Sequence, residues 1–254
     1  MKLTNMKTAL ITGATSGIGK ATAELYAQHG YKLILTGRRE NRLAEIKENL
    51  STQTEVHTLC FDVREKSFCL EILNHIPTDF QPINVLVNNA GNAHGLDAIQ
   101  TGSIDDWDAM IDINVKALLY ISKPIMAQMV EEGSGHIVNI GSIAGKEVYP
   151  NGNVYCASKH AVDAISQSMR IDLNGTGVKV SQVCPGLVET EFSDVRFKGD
   201  TERAKTVYHG FDALQAVDIA ELIHFITSRP KHVNLADCLI LPSAQANSTI
   251  VNKA

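Results

Sequence analysis

No stretch of the chain approaches the roughly 20 consecutive apolar residues that a membrane span needs. The first apolar run, Thr8-Ala-Leu-Ile-Thr12, is too short for a secretory leader and breaks at Gly13. Basic residues are not in excess: 23 Lys and Arg face 28 Asp and Glu, a formal net charge of −5. That leaves no electrostatic footprint for nucleic acid, so an anionic ligand must be held by local groups. C-x-x-C spacing is absent and the five cysteines are an odd number, which argues against a disulfide framework and against a zinc site. Repeats, low-complexity tracts and linkers are missing as well. The expectation is a soluble protein of a reducing, cytoplasmic compartment, with no membrane or nucleic-acid partner. At 254 residues, 44% hydrophobic and 20% charged, one domain over 1–254 with a sizeable core is expected.

Short apolar runs alternate with longer amphipathic stretches. Strands are predicted near 8–12, 32–36, 55–61, 83–88, 136–140, 178–184 and 238–241, several apolar on both faces as buried parallel strands are. Helices are predicted over 18–30, 39–50, 65–75, 105–131, 154–174 and 218–228. This alternation predicts an α/β fold: a Rossmann-like, doubly wound parallel sheet of about seven strands with helices on both faces. A nucleotide-binding half over about 1–100 and a catalytic half over about 101–254 are expected. The polar segment 189–216 is either a lid over a binding site or a surface excursion that only packs.

The first strand runs into Thr12-Gly-Ala-Thr-Ser-Gly-Ile-Gly19 and then a helix. Gly13, Gly17 and Gly19 permit a tight turn and close backbone approach, and the helix start offers free N–H groups to a pyrophosphate. Residues 13–19 (Gly13, Ala14, Thr15, Ser16, Gly17, Ile18, Gly19) are therefore candidate cofactor contacts. An NAD site usually places a carboxylate at the end of the second strand. Here that position reads Thr36-Gly-Arg-Arg39. Arg38 and Arg39 suit a 2′-phosphate and favour NADP(+)/NADPH, unless they merely open a solvated helix. At the end of the third strand, Asp62 and Val63 either flank an adenine or cap a helix.

Tyr155 and Lys159 stand four apart, on one face of a predicted helix. A lysine ammonium near a phenol favours the phenolate; at about 4 Å and an effective dielectric near 20 the attraction is roughly 4 kcal/mol. That is about three pKa units, enough to bring a phenol towards neutrality. Ala157, Ala161, Ala164 and Ser168 form a small-residue stripe on the same helix, suited either to a second copy or to the sheet. Cys156 reads as structural.

The glycine loop, Asn88-Asn-Ala-Gly91, Asn114, Ser142, Tyr155-x-x-x-Lys159 and Pro185-Gly186 occur in one order and register. The chain resembles the classical short-chain dehydrogenases/reductases over essentially its whole length. Gly37-Arg-Arg39, Gly152-Asn-Val-Tyr155, the segment 191–200 and His232-Val-Asn234 look like the branch of NADP-dependent 3-hydroxy acid dehydrogenases, which acts on serine, L-allo-threonine and related acids such as 3-hydroxypropionate.

The resemblance implies an oxidoreductase acting on a small alcohol or carbonyl and a homotetramer or homodimer. It implies Tyr155 as acid/base, Lys159 as the group that lowers its pKa and binds the nicotinamide ribose, and Ser142 as holder of the substrate oxygen. Asn114 would support a proton relay; alone, it would serve a kinked helix, and Ser142 alone would cap a turn. Asn89, Ala90 and Gly91 would line the cofactor. The stretch from Pro185 through Gly186 and Val188 to Thr190 would cover the nicotinamide. Of Arg196 and Lys198 in the variable segment, Arg196 is the preferred candidate to reach a substrate carboxylate or the adjoining lid backbone, unless the two are a solvated basic pair. Two departures stand out: Ser16 replaces a basic residue common in the glycine loop, and Ala216-Val-Asp218 replaces a proline-led helix start. The rival reading keeps the enzyme and changes the substrate to a sugar, steroid or diketone. A non-catalytic NADPH sensor is more remote.

Overall fold

The computed structural model describes residues 6–254. The expected domain start at residue 1 lies outside the described residues. Seven strands form one parallel sheet: β1 (Thr8–Ile11), β2 (Lys32–Gly37), β3 (Val56–Cys60), β4 (Ile83–Asn88), β5 (Gly135–Ile140), β6 (Val178–Pro185) and β9 (Asp237–Ile240). Their order is β3-β2-β1-β4-β5-β6-β9. In β1, Thr8 to Ile11 are all buried, as a strand covered on both faces requires. Leu10 pairs with Ile34 on one side and Leu86 on the other, which fixes the register of the centre.

Helices α1 (Gly17–Gln28), α2 (Glu40–Leu50) and α9 (Ala216–Thr227) cover one face, burying Tyr26, Leu43, Ile219 and Ile223 against Leu33, Val85 and Val183. Helices α3 (Lys66–Leu70), α5 (Ala117–Glu131) and α6 (Asn153–Asp172) cover the other, through Cys69, Ile121, Ile125 and Val162. Two cores thus sandwich the sheet. The expected fold class is the observed one.

Three local departures carry information. The helix predicted over 105–131 is interrupted: α4 (Ile104–Ile111) passes into α5 through a π-helical turn, Asp112–Lys116, which contains Asn114. The last helix begins at Ala216, not 218, because Gln215 and Asp218 form a reciprocal cap in which Gln215 N donates to Asp218 Oδ2 at 2.7 Å. The polar segment 189–216 is framed by a two-stranded parallel ribbon, β7 (Val188–Glu189) with β8 (Leu214–Gln215). It carries two short helices, α7 (Phe192–Arg196) and α8 (Thr201–Val207).

Beside the reversal of strand order at β1 and β4, a buried polar chain ties both helices to the sheet. Asn88 Nδ2 donates to Ser122 Oγ and Asn139 Oδ1, both at 2.8 Å, and Asn139 Nδ2 donates to Ser166 Oγ at 2.9 Å. Satisfied buried amides of this kind hold α5 and α6 in one position.

Candidate active site

A cavity of about 530 Å³ opens at the carboxyl ends of the strands, where α/β sheets place their ligands. It runs from Arg38 and Arg39 past the glycine loop to Ser142, Tyr155 and Lys159, under Thr190 and Arg196.

At the nucleotide end, Gly13 has φ +66°, and a Cβ there would stand 3.0 Å from Ala90 Cα. A side chain would be strained and would push β4 away. Thr12 Oγ1 accepts from the N–H groups of Asn89 and Ala90 at 3.0 Å each, while Asn89 Nδ2 donates to Thr12 O at 2.9 Å. The loop is thereby clamped to the end of β4. Arg39 donates to Thr15 Oγ1 at 2.9 Å and to Ser16 Oγ at 2.8 Å, so the hydroxyl of Ser16, which makes no cap bond to α1, is turned to the guanidinium. Arg39 and Arg42 both pair with Glu191. Arg38, its side chain 57% exposed, reaches Asp62 at 3.5 Å.

Most expected cofactor contacts line this cavity: Gly13, Thr15, Ser16, Gly17, Ile18, Arg38, Arg39, Val63, Asn89, Ala90, Gly91, Pro185, Gly186, Val188 and Thr190. Three stand behind the wall instead. Ala14 is fully buried in the core and donates its N–H to Thr36 O at 2.9 Å. Gly19 is where α1 crosses the loop; a Cβ would come within 2.5 Å of Gly13 O, so it serves packing. Asp62 accepts from Arg64 at 2.7 Å, and that guanidinium holds its carboxyl below the usual range. It pairs with Arg38 and Arg64 beside the cavity, whose lining takes in Phe61 and Val63 on either side of it.

At the other end, Tyr155 and Lys159 share one face of α6 and are 8% and 7% exposed. Lys159 Nζ donates to Ile140 O at 2.9 Å. Burial pushes the ammonium down to about 8. Burial also pushes the Tyr155 phenol up, reinforced by Tyr149 and opposed by Ser142 and Arg196. Desolvation leads for both groups, because it disfavours phenolate and ammonium alike, and it runs against the lowering expected from the lysine. Ser142 Oγ lines the cavity and accepts from Ala144 N at 3.0 Å, so it faces the site and also caps the 3₁₀ turn Ile143–Gly145.

Asn114 is also behind the wall. Its Nδ2 donates to Asn92 O at 2.8 Å and to Ser158 Oγ at 3.0 Å; its Oδ1 accepts from Asn92 N at 2.9 Å. The π-turn thus pins the loop after β4. Arg196 arches over the site from α7, its guanidinium 5.3 Å from the Tyr155 ring centroid. It donates to Tyr149 Oη at 2.9 Å and to Gly95 O at 3.2 Å. Lys198, two residues on, pairs with Asp106 at 2.9 Å, away from this wall.

Several lining residues had no sequence signal. Tyr149 precedes α6 and orients Arg196. Phe192 sets its ring 5.7 Å from that of Tyr155. Gln245, from the tail after β9, is buried and accepts from Leu187 N at 2.9 Å, which fixes the Pro185–Thr190 stretch from behind. The motifs marked neither Tyr149 nor Gln245, which arrive from loops, and gave Phe192, inside the segment 191–200, no role of its own.

The model of the short chain dehydrogenase family matches residues 7–201. The chain belongs to that family. It is 44% identical over 238 residues to sulfoacetaldehyde reductase 2 of Chromohalobacter salexigens, covering 93% of this chain and 94% of that one. It is 42% identical to the NADP-dependent 3-hydroxy acid dehydrogenase of Escherichia coli strain K12, covering 93% and 95%. Among solved structures, the closed form of a serine dehydrogenase complexed with NADP+ superposes with a TM-score of 0.91 at 40% identity, over 97% of this chain and 99% of that one. Among the described residues, no helix is long and apolar enough to cross a membrane, and no group of three or more His, Cys, Asp or Glu is placed to hold a metal. The five cysteines are free thiols.

Proposed function

We propose that this NADP-dependent short chain dehydrogenase interconverts the hydroxyl and carbonyl forms of a small 3-hydroxy acid, of the kind represented by serine, L-allo-threonine or 3-hydroxypropionate. The carrying observation is Arg196. Its guanidinium stands over the Tyr155 ring, with Nε and Nη2 oriented by Gly95 and Tyr149. With Nε anchored there, Nη1 and the second Nη2 hydrogen are left for a bidentate carboxylate one or two carbons from the reacting hydroxyl.

The residues fit the cofactor. A Cβ at Gly13 would fill the space beside Ala90, and Arg38 is exposed at the end where a 2′-phosphate would lie. Gly13, Thr15 to Ile18 and Asn89 to Gly91 would hold the pyrophosphate and riboses, and Pro185 to Thr190 would cover the nicotinamide. NADP(+) supplies the hydride acceptor when bound, and NADPH the donor. Tyr155 Oη takes the proton from the substrate hydroxyl in oxidation and returns it in reduction. Ser142 Oγ and Tyr155 Oη together steady the developing oxyanion. Lys159 holds the cofactor's ribose and supplies positive charge to the phenol. Asn114, through Asn92 and Ser158, positions the chain around that relay.

Residues 101–254 act as the catalytic half, and segment 189–216 acts as a lid, because Thr190, Phe192 and Arg196 all face the cavity from it. Ala157, Ala164 and Ser168 are exposed on α6, which supports a close helix contact between two copies rather than packing on the sheet. A homodimer or homotetramer in the cytoplasm, where free thiols persist, completes the reading.

A sulfonate substrate is the second reading. Arg196 Nη1, without a hydrogen-bond partner among the described residues, would serve a three-oxygen anion as well as a carboxylate, and the sulfoacetaldehyde reductase relative supports the sulfonate. A panel of L-serine, L-allo-threonine, 3-hydroxypropionate, 2-hydroxyethanesulfonate, a sugar alcohol and a cyclic alcohol with NADP(+) tests both. Turnover confined to the carboxylates supports the first reading. The sulfonate alone would replace it with the second, and turnover of only uncharged alcohols would remove both.

A further inference from the structure

The nucleotide end carries three guanidinium groups, Arg38, Arg39 and Arg42, and an internal anion already engages two of them. Glu191 Oε2 accepts from Arg39 Nη1 at 2.8 Å, and its other oxygen, Oε1, accepts from Arg42 Nη1. One carboxylate bridging two guanidiniums by separate oxygens is the arrangement a phosphate monoester adopts toward paired arginines. The remaining Arg39 donors are fixed on Thr15 and Ser16, at the start of α1. The anion-binding direction of this guanidinium pair is thus set by the glycine loop, and Glu191 occupies it.

We propose that Glu191 is an internal stand-in for the 2′-phosphate, and that NADP(+) binds by exchanging its phosphate for this carboxylate on Arg39 and Arg42. The inference rests on the NADP reading of the same site. It makes Glu191 a specificity-determining residue whose effect has opposite senses for the two nicotinamide cofactors. The phosphate must expel a like charge, whereas the 2′-hydroxyl of NAD(+) can donate a hydrogen bond to it. Displacement of Glu191 is also transmitted. Its neighbour Thr190 sits against Gly17, and Phe192, on the other side, packs against Tyr155. Occupancy of the phosphate site therefore shifts the segment that carries Arg196.

The test is calorimetric Kd measurement for NADP(+) and NAD(+) on the whole protein, wild type and Glu191→Gln, at one fixed ionic strength. Removing one like charge about 5 Å from the phosphate tightens NADP(+) binding by about tenfold and leaves NAD(+) unchanged or weaker. Glu191→Asp, one methylene shorter and unable to reach both arginines at full strength, falls between them and carries the test if the glutamine variant does not fold. An NADP(+) Kd that is unchanged or weakened in both variants overturns the exchange. A wild type that prefers NADP(+) alongside unmoved variants sinks this inference alone. A wild type that prefers NAD(+) sinks the NADP reading beneath it, and the inference with it.

Discussion

The two ends of the cavity handle charge in opposite ways. At the nucleotide end, the side chains of Arg38, Arg39 and Glu191 are 57%, 40% and 41% exposed, and their charges stay paired in contact with water. At the catalytic end, Tyr155 and Lys159 are sealed, and burial moves both towards their neutral forms. Exposed pairs can be exchanged for a ligand at modest cost and are screened by salt. Buried groups respond strongly to any charge that enters, because little solvent shields them. On the proposed reading, the same cavity selects its ligand at one end and reacts at the other.

Breaking the buried end should have the larger effect. Lys159→Met removes the cation next to the phenol, and kcat should fall by about a hundredfold or more, the scale of a lost acid–base contribution. Steady-state kinetics at saturating cofactor would show it. At the exposed end, Arg38→Gln together with Arg39→Gln should weaken NADP(+) by about ten- to a hundredfold, the scale of lost hydrogen bonds to a charged group, with kcat nearly kept. Raising the salt should erode the wild-type advantage there and leave the Lys159 effect unchanged. Arg196→Ala, over the buried end, should raise KM for a 3-hydroxy acid by about tenfold while sparing an uncharged alcohol. An unchanged KM would remove Arg196 from substrate binding.

The smallest effect is a control for burial without catalysis. His136 on β5 is buried outside the cavity, bonded to Ser181 Oγ at 2.8 Å, and burial pushes its imidazole down to about 3. Its folded pKa lies below the unfolded value of about 6.5, so the unfolded chain binds the extra proton between those values. Stability should therefore be lost as pH falls from about 6.5 towards 3, by about 1.4 kcal/mol per unit at most from this residue. His136→Asn should flatten that slope in denaturant titrations and leave the pH–rate profile alone.

The fold was legible because its signals are local and repeated. Apolar runs such as Lys32–Gly37 are too continuous for one-sided strands, and the amphipathic stretches between them are long enough for crossover helices. The glycine loop was legible because its spacing expresses a backbone requirement, seen in the positive φ of Gly13. What stayed hidden depends on meetings between distant segments. Gln245 supports Leu187 across 58 positions, and Tyr149 meets Arg196 across 47. The π-turn at Asn114 has no composition of its own; it is selected by the bonds Asn114 makes to Asn92. The desolvation of Tyr155 was hidden for a related reason. Spacing reveals the neighbouring amine but not the depth at which both groups are buried.

Tyr155→Phe tests the central claim most directly, measured as turnover of the best 3-hydroxy acid beside calorimetric NADP(+) binding in the same folded sample. The account predicts cofactor affinity within about threefold of wild type and a kcat lower by about a thousandfold or more, the upper part of the acid–base range. Turnover close to wild type in a variant that still binds NADP(+) would contradict it.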